Sequence, residues 1–112
     1  MKLTGKCKED FEKWLYKSNV LTLNILHSQN IDVFEKEKYF YKLSDSMQYG
    51  VYVDFFDSVE LFPNVIYSYN VSMQGCNWFS VRVDNKYVVN GLKTRQEART
   101  QAITKANEIY NQ

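Results

Sequence analysis

Two carboxylates in one apolar stretch are the side chains of this sequence best spaced for acid-base or metal chemistry. Asp54 and Asp57 lie three residues apart in "SMQYGVYVDFFDSVE", which on a helix places both on one face. Such a pair can hold a divalent cation or divide the roles of acid and base. Two carboxylates on the only polar strip of a helix are more often its solvated edge, and a metal needs further ligands. We therefore assign no catalytic or metal-binding residue here.

Other arrangements that support enzymatic chemistry are missing from the sequence. His27 is the only histidine, and no cysteine or second histidine stands at the spacing of a zinc site. No Ser-His-Asp or Cys-His arrangement can be nominated, and the four glycines form no phosphate-binding loop. Cys7 and Cys76 are interpreted as free thiols in a reducing cytosol. The sequence predicts a protein that is not an enzyme and uses no cofactor.

Lys93, Arg95 and Arg99 are the candidate anion-binding residues. The two arginines lie in "TRQEARTQAI", inside the arc of a predicted helix that its alanines define. Two cations near a helix N-terminus oppose the helix dipole. In one interpretation they extend from the edge of the core, or pair with carboxylates such as Asp54 or Asp57. In the other, Lys93, Arg95 and Arg99 form an anion or phosphate site.

Capping residues mark the starts of three predicted helices. Thr4 precedes a first amphipathic stretch, and Ser44 or Asp45 precedes the stretch that contains the paired carboxylates. Thr94 and Glu97 form a capping box before the last helix, where alanines recur at helical spacing. These signals place the acidic pair on a middle helix and the basic residues at the start of the final one.

Between the last two helices the apolar period changes from helical spacing to two. After Pro63 the chain alternates through Val65, Tyr67 and Tyr69, as expected for a half-buried strand. Two further alternating stretches, "NWFSVRV" and "KYVVNGL", are separated by a tight turn at Asp84-Asn85. The pattern predicts an antiparallel meander of three strands.

Together these elements predict a single α+β domain over residues 1–112. The three-stranded antiparallel meander packs against about three helices, in the order α-α-β-β-β-α. The last helix and the helix at residues 46–60 are expected on one face of the sheet, with the first helix closing the core. Residues 20–41 stay open: "VLTLNIL" fits a strand or a short helix, and "VFEKEKYFYKL" fits neither clearly.

The helix at residues 46–60 is the candidate interaction element. Only Gly50, Asp54 and Asp57 form a polar strip, so its apolar arc covers about 240° at 100° per residue, wider than one sheet face requires. Part of this arc must meet the first helix, a second subunit or a partner. The residues chosen for that role are Tyr49, Tyr52 and Phe56. Aromatic surface with few charges is typical of interface cores.

Charge and hydropathy limit the classes of partner. Fourteen basic and thirteen acidic side chains leave a formal net charge of +1, so an electrostatic partner must be met by a local patch. No stretch approaches the about 18 apolar residues of a membrane span, and the N-terminus lacks the apolar region of a signal peptide. We expect a soluble cytoplasmic protein with no membrane contact.

Three stretches together resemble a family of small proteins found in bacteriophage and prophage genomes. They are "MKLTGKCKEDFEKW", "LSDSMQYGVYVDFFDSV" and "LKTRQEARTQAITKANEIYN", in that order along the chain. The family is uncharacterised. The resemblance implies a phage origin and a location in the bacterial host cytoplasm, and it implies no particular chemistry.

The last 45 or so residues also resemble the end of a double-stranded-RNA-binding domain. In such domains three antiparallel strands precede a helix that begins with basic residues and packs on the sheet through its alanines. Arg95, Glu97, Ala98, Arg99 and Ala102 match this pattern. Gln96 stands where the family has a basic residue, and the loop "QGCN" lacks the family's Pro and His. The resemblance implies duplex binding through the start of the last helix.

Three hypotheses of function follow. The first is a non-enzymatic phage accessory protein that binds another protein, either itself or a host factor. The alternative is a nucleic-acid-binding domain that uses Lys93, Arg95 and Arg99. A third is a protein that sequesters a small ligand between aromatic walls, with the two arginines as an anion clamp.

Overall fold

Four helices and three strands form the described part of the chain and confirm the predicted α+β class. The structure is a computed structural model that describes residues 1–18, 33–70 and 76–112. Its elements in chain order are α1 (Gly5–Lys17), α2 (Val33–Lys42), α3 (Asp45–Ser58), β1 (Asn64–Asn70), β2 (Cys76–Val83), β3 (Lys86–Leu92) and α4 (Arg95–Tyr110). Helix α2 comes from the charged aromatic stretch that periodicity left open, and the stretch "VLTLNIL" lies outside the described residues.

The strands form the predicted antiparallel meander, in the spatial order β1-β2-β3. Asp84 and Asn85 connect β2 to β3 with φ angles of 55° and 61°. Positive φ at both central residues is the geometry of a type I′ hairpin turn, which Asp and Asn tolerate better than most residues. Val81 and Val83, both fully buried, point to the face of the sheet that carries the core.

Helix α4 lies directly on this face and packs mainly against β2. The predicted capping box begins it, because the Thr94 hydroxyl oxygen accepts a hydrogen bond of 3.1 Å from the Glu97 backbone N–H. The buried side of the helix consists of small and branched residues, Ala98, Ala102, Ile103 and Ala106. Alanines allow the helix axis to approach the sheet closely, so the start of α4 lies against β2.

Helix α3 packs along α4 and runs in the same direction. The Ser44 hydroxyl oxygen accepts from the Met47 backbone N–H at 3.3 Å, as expected for the N-cap. Near this end the Arg99 guanidinium donates to the Ser46 hydroxyl at 3.0 Å. At the other end Phe55 and Tyr110 have ring centroids 5.8 Å apart. The predicted polar strip of α3 is exposed, and the opposite side is buried.

Phe11 of α1 is the centre of an aromatic cluster that joins three helices. Its ring centroid lies 5.1 Å from Phe40 of α2, and 5.0 Å and 5.4 Å from Tyr52 and Phe55 of α3. Tilted and edge-on rings at such distances interact favourably beyond the area they bury. Helix α1 therefore closes the core, as its sequence predicts.

The N-terminus is fixed by a tertiary hydrogen-bond network rather than by the predicted cap. The Thr4 side chain does not cap α1; its hydroxyl oxygen accepts from the Asn107 side-chain amide at 3.0 Å. The Asn107 side-chain oxygen accepts from the Thr4 backbone N–H at 2.9 Å. The Cys7 backbone N–H, in the first turn of α1, instead donates to the Asn111 side-chain oxygen at 2.9 Å, so Asn111 caps this end of the helix. This contact between chain ends is invisible to local patterns.

Candidate functional site

Two of the three predicted interaction residues are buried inside the chain. Tyr52 is 1% exposed and Phe56 is 0% exposed. Tyr52 contacts Phe11 of α1. Contact with the first helix was one of the alternatives predicted for the apolar side of α3. A surface made of Tyr49, Tyr52 and Phe56 is therefore not present in this fold, because α1 and α2 cover more of α3 than periodicity alone indicates.

Tyr49 is the member of that set that stays partly exposed. It packs against the edge of the core, and the Arg99 guanidinium carbon lies 5.1 Å from its ring centroid. A cation over a tyrosine ring is attracted by the electrons of the ring face. Burial raises the pKa of Tyr49, and the positive charge of Arg99 partly offsets that rise. The hydroxyl thus stays protonated at neutral pH and can donate a hydrogen bond.

The three predicted anion-binding residues lie at the start of α4 but rest on different surfaces. The Arg95 guanidinium carbon lies 5.4 Å from the ring centroid of Phe79 on β2, whereas Arg99 rests on Tyr49 of α3. Lys93 is exposed just before the helix. Both arginines extend from the edge of the core, which matches the structural interpretation of their position. They remain solvent-accessible enough for a guanidinium edge to meet an anion.

Arg95 and Arg99 form no ion pair with a carboxylate of the described residues. The ion pairs found there join Lys6 to Asp10, Lys8 to Glu12, and Lys105 to Glu108. Asp54 and Asp57 are exposed on α3, and burial together with the charge of Asp54 raises the pKa of Asp57. Among the residues that the structure describes, no group of three His, Cys, Asp or Glu side chains could hold a metal. His27 lies outside the described residues.

Cys7 is a free thiol at the centre of the fold. It is fully buried, and burial together with the nearby Asp10 charge raises its pKa to about 12. A thiol reacts as its thiolate, so this side chain stays protonated and unreactive at neutral pH. Its role is packing in the core between α1 and its neighbours.

Two tyrosines on β1 form an exposed aromatic surface on the sheet. Tyr67 is 49% exposed and Tyr69 is 56% exposed. Tyr67 lies opposite Phe79 in the ladder, with ring centroids 5.2 Å apart, and its hydroxyl oxygen accepts from the Asn77 amide at 3.2 Å. Phe79 also carries the Arg95 guanidinium. These contacts hold Tyr67 in one orientation while leaving about half of its surface to solvent.

The outer edge of β1 is unpaired within the described residues. β1 is the first strand in the sheet order, and its only strand neighbour there is β2. Its seven residues, "NVIYSYN", include no charged side chain and no proline. An edge strand without such residues offers free backbone N–H and C=O groups to another strand. Tyr67, Tyr69 and this outer edge of β1 are called the β1 edge surface below.

The opposite edge of the sheet has features that discourage pairing. β3 begins with Lys86, and Gly91 near its end has a φ of 75°. The register between β2 and β3 is shifted twice, between Phe79 and Val81 and between Val81 and Arg82. Lysines and irregular register are common ways in which proteins protect an edge strand. β1 has none of these features along its length.

The sequence contained a signal for this surface. Alternation placed Val65, Tyr67 and Tyr69 on one face of a strand, and the first strand of a three-stranded meander is at a sheet edge. Two large aromatic side chains on an uncharged edge strand favour contact with another chain. The predicted interaction residues lie on the apolar helix instead, where Tyr52 and Phe56 are buried in the core.

A surface cavity of about 510 Å³ has no residue of the described sheet in its lining. It is lined by Met1, Lys2, Leu3, Lys8, Tyr41, Asp45 and Gln48. Neither Arg95 nor Arg99 contributes to it, so the structure does not combine an aromatic cavity with an arginine clamp there. The cavity gives no support to a small-ligand function that uses those arginines.

Comparison with known proteins gives no family for this chain. No protein-family model, no curated protein and no solved structure matches it. None of the helices that the structure describes is both long enough and apolar enough to cross a lipid bilayer. Function must therefore be inferred from the side chains and the fold themselves.

Proposed function

We propose that this chain is a non-enzymatic accessory protein that acts by binding another protein. The observation that carries the proposal is the β1 edge surface, which combines two half-exposed tyrosines with an unpaired strand edge free of charge. Tyrosine is enriched at interfaces because its ring supplies contact area and its hydroxyl supplies a hydrogen bond. The backbone of an edge strand adds affinity by pairing with an incoming strand.

The orientation of Tyr67 supports this function. Phe79 packs against its ring and Asn77 donates to its hydroxyl, so little side-chain freedom remains to be lost on binding. Tyr49 and the exposed Met47 on α3 offer further contact area near the start of α4, where Arg99 rests on the Tyr49 ring. The resemblance to phage proteins adds the proposal of a phage origin and action in the host cytoplasm.

The test is affinity capture with the tagged protein from bacterial lysate treated with nuclease. Tyr69→Lys is the informative variant because it places a charge on the β1 edge surface. Tyr16→Lys is its matched control, since Tyr16 is 49% exposed and lies on α1. We expect a nuclease-resistant protein, or an untagged copy of the chain, with the wild type and the control but not with Tyr69→Lys. Equal capture by both variants would contradict the proposal.

A second candidate function is binding of duplex nucleic acid through the start of α4. The observation that favours it is that Arg95 and Arg99 lack a carboxylate partner within the described ranges and have Lys93 beside them. Guanidinium groups that lie on aromatic rings still have N–H donors to offer to phosphate oxygens. The resemblance to double-stranded-RNA-binding domains also involves Arg95 and Arg99.

Salt dependence tests this second candidate. Each phosphate contact makes the logarithm of affinity fall by roughly 0.9 for every tenfold rise in salt. If Lys93, Arg95 and Arg99 bind a duplex, the triple Ala variant should lose most of the affinity and most of the slope. A control with three exposed lysines of α1, Lys6, Lys8 and Lys13, should keep both. No duplex binding at low ionic strength would remove the candidate.

A further inference from the structure

We infer that two copies of this chain pair through β1 in antiparallel orientation, forming a continuous six-stranded sheet centred on Tyr67. The inference deepens the proposed function, because it depends on the β1 edge surface as a protein-binding site and names its partner as a second copy. The basis is the self-complementarity of the strand. Seven residues, Asn64–Asn70, place Tyr67 at the midpoint.

The side chains match across this two-fold arrangement. With Tyr67 opposite Tyr67 of the second copy, Tyr69 faces Val65 and Ile66 faces Ser68 on the other strand. Aromatic and β-branched residues form favourable cross-strand pairs. Val65 packs against the core of its own copy. The exposed Tyr69 ring of the second copy, which lies opposite Val65, would therefore add to the apolar face around that core.

Charge favours a copy of the same chain on this edge. In an isologous interface the same surface of both copies meets across a two-fold axis. A charged residue on the axis would therefore face the same charged residue of the other copy. β1 contains no Asp, Glu, Lys or Arg, and hence no such repulsion arises. The second edge strand, β3, begins with Lys86 and pairs irregularly with β2, which makes the sheet open to pairing on one side.

The geometry of the fold also permits the pairing. Tyr67 shares its sheet face with Val81, on which α4 packs. A two-fold axis perpendicular to the sheet keeps both α4 helices on that same face, with the four tyrosines between them. The backbone then gains the strand neighbour that β1 lacks among the described residues.

The test is sedimentation equilibrium of the wild type, of Tyr67→Lys, of Tyr67→Glu, and of an equimolar mixture of these two variants. The wild type should approach twice the 13.3 kDa mass of one chain as its concentration rises. Each variant alone should stay monomeric because it places like charges opposite each other, whereas the mixture should recover the dimer through Lys-Glu pairing. Tyr16→Lys should dimerise like the wild type.

Replacing Tyr67 also removes its contacts with Phe79 and Asn77 within the chain, so a second variant at another position of the β1 edge surface is needed. Tyr69→Lys should also be monomeric, and thermal unfolding followed by circular dichroism should show that it is folded. A wild type that stays monomeric at every concentration overturns the self-pairing. If that monomer still captures a nuclease-resistant protein through Tyr69, protein binding stands and only the choice of partner is wrong; if it captures nothing, both proposals fail. Dimers of Tyr67→Lys as tight as those of the wild type overturn the β1 pairing, since another surface must then form them.

Discussion

Tyr67 and Phe79 lie opposite each other on neighbouring strands, with ring centroids 5.2 Å apart, and the guanidinium of Arg95 lies over the second ring. The stack connects the start of α4 to the exposed edge of the sheet. Arg95, predicted as an anion-binding residue, thus also stabilises the strand that carries the candidate protein-binding surface.

Replacing Arg95 by alanine is expected to lower the free energy of unfolding by about 0.5–1 kcal/mol, because the exposed contact between cation and ring is lost. Lys93→Ala is the control, since Lys93 is exposed and surface changes of this kind stay within about 0.5 kcal/mol. Urea unfolding measures both. Equal stability of the two variants would show that the contact with Phe79 contributes nothing measurable.

Two glycines should respond to alanine with opposite signs. Gly5 has a φ of +59°, and an added Cβ would lie 3.3 Å from the Asn111 side-chain oxygen. Gly5→Ala should therefore lower the free energy of unfolding by about 1–2 kcal/mol. Gly50 lies inside α3 with no described atom within 4 Å of an added Cβ, so Gly50→Ala should raise it by about 0.5–1 kcal/mol. Denaturant midpoints of the two variants that move in the same direction would contradict this account.

Asn107 should be among the most sensitive polar residues. It is 8% exposed and exchanges two hydrogen bonds with Thr4, 103 residues earlier in the chain. Asn107→Ala leaves the Thr4 backbone N–H without its acceptor, which should cost about 1–3 kcal/mol in urea unfolding. Thr104→Ala, exposed on the same helix, should cost far less. Amide exchange at the start of α1 should accelerate in the first variant only.

Alkaline pH should weaken the contact between Tyr110 and Asp10. The Tyr110 hydroxyl donates to the Asp10 carboxylate at 2.6 Å, and this bond together with burial raises the pKa of Tyr110 to about 12. The folded pKa lies above the unfolded value of about 10, so the stabilisation is complete below pH 10 and is lost as pH rises through the folded pKa.

Tyr110→Phe should therefore be less stable than the wild type at pH 8, and the gap should narrow by pH 12. Urea unfolding at several pH values measures the gap. Tyr16→Phe is the control for loss of a tyrosine hydroxyl, because Tyr16 is half exposed and its hydroxyl donates to no carboxylate of the described residues. A gap that is constant with pH would contradict the assigned role of the hydrogen bond.

Local sequence patterns predicted the elements whose causes are local. The Thr94 capping box, the turn at Asp84-Asn85 and the Ser44 cap depend on residues within three positions, and all appear in the structure. The stretch that became α2 mixes charged and aromatic residues, and its Phe40 is buried because Phe11 of α1 and Tyr52 of α3 pack against it. Such an element is specified by packing rather than by its own period.

The candidate site was harder to predict because burial depends on how many elements surround a helix. Tyr52 has the same residue type as Tyr67, yet α1 and α2 bury the first while the second stays half exposed. Thr4 has a residue type preferred at N-caps, but its hydroxyl oxygen instead accepts a hydrogen bond from the Asn107 side-chain amide, 103 residues later in the chain. A residue's type and spacing fix its face, and the tertiary neighbours decide whether that face reaches solvent.

The measurement that tests the central claim most directly is site-specific photo-crosslinking in bacterial cells, with a benzophenone amino acid replacing Tyr69 in one strain and Tyr16 in another. Protein binding through the β1 edge surface predicts a discrete nuclease-resistant protein adduct from position 69 and none from position 16. Adducts that disappear on nuclease treatment, or equal yields from the two positions, would contradict it.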